Sequence, residues 1–267
     1  MTEPRSCLLI GAAGFVGSAL AAAVRDSGWD LHAATRDNYD TFIGRSFDLV
    51  INANGNARRF LADQEPIADF RASAETVYRS CLDFSCRRYA YISTVDVYND
   101  TSRRAETRED AEIDPLRLSP YAFHKWLAER FVMRNDGEWQ IFRLAQMVGP
   151  GLRKGPVYDL LHGDKIWIHD ESELHFLQTH TVANAVLELI KSGAANEVYN
   201  VCGVGAVSYG EVRQLFPDQV GVENGATARQ MYSIDTERTA RLIQLPASQM
   251  EVVAFVRGAL AEKDPPG

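Results

Sequence analysis

Four cysteines in 267 residues, none in a Cys-x-x-Cys pair, exclude a disulfide framework and a cysteine-built metal site. Cys7 and Cys202 fall in apolar, strand-like runs, where a thiol packs as a small hydrophobe. Cys81 and Cys86 stand apart from them, and the pattern points to a reducing, cytoplasmic compartment. His162, His169, His175 and His180 show no metal-ligand spacing, so no metal site is expected. A basic excess is also missing. Lys and Arg total 28 against 36 Asp and Glu, a formal charge of −8, which argues against a nucleic-acid binder. No stretch is a good membrane span. The nearest, Cys7 to Val24, is broken by three glycines and Ser18 and falls short of the ~20 apolar residues a spanning helix needs. The same breaks make it a poor signal peptide. Internal repeats and low-complexity linkers are absent. What remains is 46% hydrophobic and 24% charged, an ordinary composition for one large α/β domain or one domain with a small appendage.

The stretch that an export signal would occupy has a better explanation. Cys7-Leu-Leu-Ile-Gly11 is an apolar run that ends in Gly11-x-x-Gly14-x-x-Gly17, and Leu20 and Val24 then recur four apart. That order predicts a strand, a glycine turn and a helix, which lets a pyrophosphate sit against backbone N–H groups at a helix N-terminus. Gly11 would make the turn and Gly14 would admit the phosphates. Gly17 would bring helix against strand, with Phe15 and Val16 between them at the helix start. The spacing departs by one residue from the commoner Gly-x-Gly-x-x-Gly, and alone it also reads as a flexible Gly/Ala turn.

Further along, residues 31–36 and Asp48-Leu-Val-Ile-Asn-Ala53 read as strands. Only residues 37–47 lie between them, so a truncated crossover is expected. Residues 64–86 read as helix with Ile67, Phe70, Ala74, Val77 and Leu82 near one face, and Arg88 to Tyr98 as a buried strand entering a polar loop over 99–118. Ser119-Pro120 opens a helix over 121–135, and Trp139 to Val148 is a strand stopped by Gly149-Pro150-Gly151. Lys165 to His169 and Glu197 to Cys202 read as strands. Val182, Val186 and Ile190 mark a helix, and Met250, Val253, Val256 and Leu260 a last one before a frayed tail, Lys263 to Gly267. Strand–helix alternation predicts an α/β, Rossmann-like doubly wound parallel sheet over 1–150, with a smaller, mainly substrate-binding lobe over 151–267. Whether the strand near 197–203 returns to the sheet stays open. Ligands would bind where the carboxyl ends of the strands meet that lobe.

Two residues supply an acid–base pattern. Tyr121 and Lys125, at i and i+4, share a helix face. An ammonium beside a phenol lowers its pKa and lets it pass a proton to or from a carbinol oxygen. Tyr-x-x-x-Lys is common, however, and alone also reads as an aromatic and a solvated lysine. Ser93-Thr94 ends the central strand, where a hydroxyl can hold the same substrate oxygen or merely cap the loop.

Taken together, Gly11-x-x-Gly14-x-x-Gly17, Tyr91-Ile-Ser-Thr-Val-Asp-Val-Tyr98, Ser119-Pro-Tyr-Ala-Phe-His-Lys125 and Arg143-Leu-Ala-Gln-Met-Val-Gly-Pro-Gly151 resemble the extended short-chain dehydrogenase/reductase superfamily. Within it, the chain is similar to the NAD-dependent epimerase/dehydratase group, whose substrates are typically nucleotide-linked sugars. Phe176-Leu-Gln-Thr-His-Thr-Val-Ala183 and Tyr199-Asn-Val-Cys-Gly203 extend the likeness to nearly the whole chain. The resemblance implies catalytic roles for Thr94, Tyr121 and Lys125, with Lys125 also bonding the nicotinamide ribose, and helices that commonly dimerise. It has departures. Sugar dehydratases carry an acidic pair after the catalytic threonine, and here Val95-Asp96 stands there, which argues against water elimination. Leu174 replaces an arginine that often meets the substrate diphosphate, and His180 and Thr181 replace two acids.

The second strand ends Ala34-Thr35-Arg36-Asp37. Thr35 stands where an NAD site carries an acid, and Arg36 is suited to a 2′-phosphate, so NADP(H) is favoured. A shift in the turn would put Asp37 on the ribose and favour NAD(H). Asn52, Ala53 and Asn54 end the third strand and are expected along the cofactor. Ser93 and Asp96 are expected at the substrate. Of the basic pairs Arg58-Arg59, Arg103-Arg104 and Arg153-Lys154, the last, after the Gly-Pro-Gly turn, is the expected phosphate holder. The sequence thus supports a ketoreductase acting on a nucleotide sugar. Its alternatives are an epimerase that retains NAD and a non-catalytic dinucleotide sensor.

Overall fold

The computed structural model describes residues 5–56, 59–163, 166–192, 194–216 and 229–263. The first half runs β1 (Ser6–Ile10), α1 (Phe15–Asp26), β2 (Asp30–Ala34), β3 (Ser46–Asn52), α2 (Arg59–Gln64), α3 (Pro66–Phe70), a π-helical turn (Arg71–Glu75), α4 (Thr76–Asp83), β4 (Ser85–Thr94), α5 (Pro120–Met133) and β5 (Glu138–Leu144). The rest holds β6 (Gln146–Val148), α6 (Pro156–His162), β7 (Glu173–Leu174), β8 (Phe176–Gln178), α7 (Thr179–Lys191), β9 (Glu197–Val201), β10 (Val207–Ser208), α8 (Tyr209–Arg213), α9 (Glu237–Ala240) and α10 (Ser248–Lys263).

Six strands form one sheet in the order β2-β1-β3-β4-β5-β9. Every pairing in it is parallel, and the fold is Rossmann-like. Parallel strands bury both faces, and the two-residue period divides them. Cys7 and Leu9 join Leu49, Ile51 and Ile92 beneath α1 and α7. Leu8 and Ile10 join Val50, Tyr89 and Tyr91 against Val77 of α4 and Ala128 and Val132 of α5. The gap between β2 and β3 is crossed with one 3-10 turn, Tyr39–Phe42. A separate core of Val95, Val157, Leu160, Phe176, Tyr209, Val252 and Val256 holds the second lobe together. Residues on both sides of 150 build the sheet, because β9 pairs with β5 from Gln140↔Glu197 to Leu144↔Val201. No helix among the described residues is long and apolar enough to cross a membrane.

Three expectations are corrected. The helix over 64–86 is several pieces joined at the π-helical turn, and β4 already begins at Ser85. An extra residue in a helix rotates its apolar face. Ala74 and Val77 are therefore buried while Ile67 and Leu82 stay 66% and 69% exposed. The strand over 139–148 breaks at Ala145 into β5 and β6, and β6 leaves the main sheet to pair with β8. Ile166 to His169 form no strand: Ile166 and Ile168 are buried in the second core, but no backbone pairs with them. Lys165 and the tail from Asp264 lie outside the described residues.

The β1–α1 turn depends on two glycines. Gly11 has φ +80°, and a Cβ at Gly17 would stand 2.0 Å from the Gly11 carbonyl oxygen. Gly17→Ala is expected to lower stability by about 1–3 kcal/mol, measured by chemical denaturation. Gly258→Ala in α10 meets nothing within 4 Å and is expected to be neutral or mildly stabilising.

Candidate active site

The site forms where β1, β3 and β4 end. After β1 the chain turns at Gly11, whose N–H bonds the Ala34 carbonyl at 3.1 Å. No side chain caps α1, so the amides of Phe15, Val16 and Gly17 have no acceptor among the described residues. Unpaired N–H groups at the positive end of a helix suit a diphosphate. The Gly17 cradle leaves no room for a side chain there. Both observations fit a dinucleotide. The loop after β3 completes the floor. The Ala53 and Asn54 backbone stands 3.1 Å from where a Gly11 Cβ would be, and the Asn54 amide side chain donates to Thr76 Oγ1 at 3.2 Å.

α5 delivers the acid–base group. Ser119 caps it by accepting from the Ala122 N–H at 3.3 Å, and Pro120 occupies the first turn. Tyr121, Lys125 and Glu129 follow at helical spacing, and all three are buried. Tyr121 lies near Thr94, whose hydroxyl helps to lower the phenol. The Thr94 hydroxyl accepts from the Asp96 N–H at 3.2 Å and so caps the turn after β4. The Lys125 Nζ donates to the Ile92 carbonyl at 2.8 Å and lies 4.4 Å from the Tyr91 ring centre. Gly55 separates it from the β3 loop: a Cβ there would be 3.7 Å from the Lys125 Nζ.

The electrostatics differ from the expected lowering of the phenol by the lysine. Burial first, then the Asp96 carboxylate, pushes Tyr121 above its ordinary range, and Arg59 and Thr94 pull it partway back. The ammonium is turned toward the Ile92 carbonyl and the Tyr91 ring instead. Lys125 itself is pulled down to about 8 by burial, against the opposing pull of Glu129 and then Asp69.

Two expected ligand residues are placed elsewhere. Asn52 is wholly buried: its Nδ2 donates to Ser80 Oγ (3.0 Å) and Tyr89 OH (2.8 Å), and its Oδ1 accepts from the Asn54 N–H. It shapes the loop and presents no surface to a cofactor. Ser93 is buried on the far side of the strand from Thr94, donating to Glu129 Oε1 at 2.6 Å, because neighbouring strand residues face opposite ways. Asp96 lies beside Tyr121, with its carboxylate paired to Arg59 Nη2 at 2.7 Å and accepting from Tyr232 OH at 2.8 Å. Thr35 bonds Asn38 Oδ1 through its N–H and hydroxyl, and Arg36 is exposed just beyond β2. Arg153 and Lys154 are exposed in the loop after β6. Arg103 and Arg104 pair with acids, Asp100 and Asp235 respectively. Arg58 lies outside the described residues. Leu174 is buried in the second core. His175 bonds the Gly203 carbonyl and the Ile234 N–H, and His180 is exposed.

Sequence reasoning missed the partners behind the site. Glu129, at 0% side-chain exposure, holds Arg143, at 1%, through two bonds of 3.0 and 2.7 Å. Burial raises the Glu129 carboxyl, but Arg143 and Ser93 outweigh it and hold it below its usual range. Asp69 of α3 meets His124 Nδ1 at 2.6 Å. Glu129 was recoverable, since it continues the four-residue spacing of Tyr121 and Lys125. Asp69 and Tyr232 arrive from distant segments and had no local signal, and Arg59, read as one of a basic pair, pairs with Asp96.

This architecture recurs in solved structures. The chain superposes on MoeE5 in complex with UDP-glucuronic acid and NAD with a TM-score of 0.80 at 19% identity, covering 97% of this chain and 99% of that one. A UDP-galactose 4-epimerase matches with a TM-score of 0.78 at 19% identity, over 97% of this chain and 99% of that one. The dTDP-4-dehydrorhamnose reductase of Bacillus anthracis in complex with NADP matches at 0.75 and 14% identity, over 95% and 99%. At such identities these likenesses show the fold. No curated protein matches the chain in sequence. The model of the NAD dependent epimerase/dehydratase family matches residues 7–202, and the chain belongs to that family.

Proposed function

We propose that this protein is an NAD(P)-dependent oxidoreductase that reduces a keto group on a nucleotide-linked sugar. The observation that carries the proposal is that α5 sets Tyr121 and Lys125 one turn apart at the sheet edge where Thr94 ends β4 and the β3 loop adjoins both the Gly11 turn and Lys125 Nζ. The amides of Phe15, Val16 and Gly17, with Gly11, Gly14, Ala53 and Asn54, would hold the dinucleotide, which supplies the hydride when bound. Thr94 would hold the substrate carbonyl. Tyr121 would give its proton to the carbonyl oxygen as the carbon is reduced. A phenol kept protonated by burial suits that donor role. Lys125 would bond the ribose through its ammonium. The nucleotide-sugar substrate is supported by the family and by relatives solved with UDP-glucuronic acid or UDP-glucose. Asp96 and the exposed Arg153 and Lys154 would meet that substrate.

Tyr121→Phe is expected to keep dinucleotide affinity and lose on the order of 10²–10⁴ in turnover on UDP- and dTDP-linked keto-sugars. Near-normal turnover would sink the mechanism. Arg36, exposed just beyond β2 and unpaired among the described residues, favours NADP(H). Protein purified without added cofactor and then denatured is expected to release no dinucleotide by mass spectrometry. The same preparation should bind NADPH more tightly than NADH, and Arg36→Ala should remove about tenfold or more of that preference. Stoichiometric NAD in the purified protein would instead make it an epimerase that returns the hydride to its own intermediate.

We also propose a homodimer through α3, α4 and α5. Ile67, Tyr78, Leu82 and Phe123 are exposed there, and Phe123 stacks on Trp126 with ring centres 6.1 Å apart. A second copy would cover this apolar face. Light scattering should find a dimer that Ile67→Glu with Leu82→Glu converts to monomer. A monomeric parent protein would refute this arrangement.

A further inference from the structure

Lys125 is surrounded by more charge than one hydrogen bond to a carbonyl requires. Glu129 follows it by one turn on α5, the Tyr91 ring lies against it from β4, and Asp69 of α3 approaches through Ser73, whose Oγ flanks Gly55 as Lys125 Nζ does. Behind the two carboxylates stand two different partners. Arg143 of β5 is a permanent cation, and its two bonds to Glu129 leave that pair with no net charge. Among the described residues Asp69 has no such permanent cation. Its carboxylate accepts from Asn56 Nδ2 at 2.8 Å and Ser73 Oγ at 3.3 Å and meets His124 Nδ1 at 2.6 Å. When His124 is neutral, its Nδ1–H donates and the carboxylate keeps its full negative charge. Apart from the half-buried Arg130, which reaches Glu129 Oε2 at 3.5 Å and keeps contact with water, the buried groups Lys125, Arg143, Glu129 and Asp69 then sum to zero. Without Asp69 the same buried site carries one uncompensated positive charge, which is costly away from water.

The backbone assembles this arrangement from three segments. The π-helical turn Arg71–Glu75 follows Asp69 and sets Ser73 between it and the β3 loop, where Ser73 Oγ also accepts from the Asn56 N–H at 3.1 Å. Gly55 fills the space between. A Cβ there would lie 3.7 Å from both Lys125 Nζ and Ser73 Oγ. π-Helical turns inside α-helices are frequent at functional sites, and this one abuts the lysine.

We propose that Asp69, oriented by His124, is a positioning residue: it is the counter-ion that keeps Lys125 an ammonium in its buried seat. The inference rests on the reading of Lys125 as the ammonium that bonds the ribose. It agrees in direction with the opposing pulls on Lys125, where burial acts downward and Glu129, then Asp69, act upward.

The sequence makes a direct test practical, because it holds five lysines: Lys125, Lys154, Lys165, Lys191 and Lys263. The whole protein, labelled with [ε-13C]lysine, is titrated by NMR without substrate or cofactor, and Lys125→Met assigns the resonance. Lys125 is expected to titrate near 8, apart from exposed lysines near ~10.4. Asp69→Asn should lower it by at least about one unit. His124→Arg, which gives Asp69 a permanent cation, should lower it too, and serves if Asp69→Asn does not fold. His124→Asn, which keeps an N–H donor, should leave it nearly in place. An unchanged Lys125 titration in folded Asp69→Asn or His124→Arg overturns the proposal. A merely structural role for Asp69 would change melting and leave the titration alone. Failure of the protein to bind any dinucleotide would sink the functional reading and leave this titration standing.

Discussion

The buried pair between Glu129 and Arg143 is the contact on which the site depends. It ties α5 to β5 near the carboxyl ends of the strands, with Ser93 of β4 bonded to the same carboxylate. A carboxylate and a guanidinium this far from water are stable only in good geometry, and removal of one partner strands the other. The two bonds fix the height and rotation of α5 against β4 and β5. Lys125 and Tyr121 stand one and two turns toward the helix start, so their positions follow from that anchor. Arg143 also lies against the Tyr98 ring, 4.8 Å from its centre, and Tyr98 OH reaches Asn200 at the end of β9.

Parallel topology explains why the groups converge. All six strands of the main sheet run the same way, so their carboxyl ends share one edge. Loops leaving that edge carry Gly11, Ala53 and Thr94, and the helix after β4 brings Tyr121 and Lys125 back to it. The strand order departs from sequence order between β2 and β3, with β1 between them, and ligand crevices form at such a switch. The short crossover to β3 does not disturb this, because a single 3-10 turn suffices to pass β1.

The second lobe is attached at two places that matter for the site. Asn200 accepts from Tyr98 OH and donates its amide hydrogens to the Thr107 and Asp235 carbonyls, which ties the long loop after β4 to the C-terminal segment. Asp96 joins Arg59 at the start of α2 to Tyr232 from the second lobe. The Asp96 carboxylate therefore sits beside Tyr121 as part of an ionic tie between the two halves. Its field on the phenol depends on both partners.

The strands, the glycine turn, the capped start of α5 and the Tyr-x-x-x-Lys spacing were legible in the chain, because each is set by interactions within a few residues. Steric demand at Gly17, the two-residue strand period and the Ser119-Pro120 cap are local constraints. So is the pairing of Tyr121 with Lys125 on one helix face. The π-helical turn was not legible, and with it the burial of Ile67 and Leu82 was misjudged, since one inserted residue leaves no mark on composition. Asn52 and Ser93 looked like site residues because they end strands at the right edge, but which face each side chain takes is fixed by its strand's register. The charge state around Lys125 was equally hidden. Asp69 and Glu129 both act on it, with His124 and Arg143 behind them, and only packing brings those four together. The sequence by itself determined the main sheet and the candidate reacting groups. The tertiary structure alone decided their electrostatics, because burial and long-range charge depend on neighbours that the chain supplies from far away.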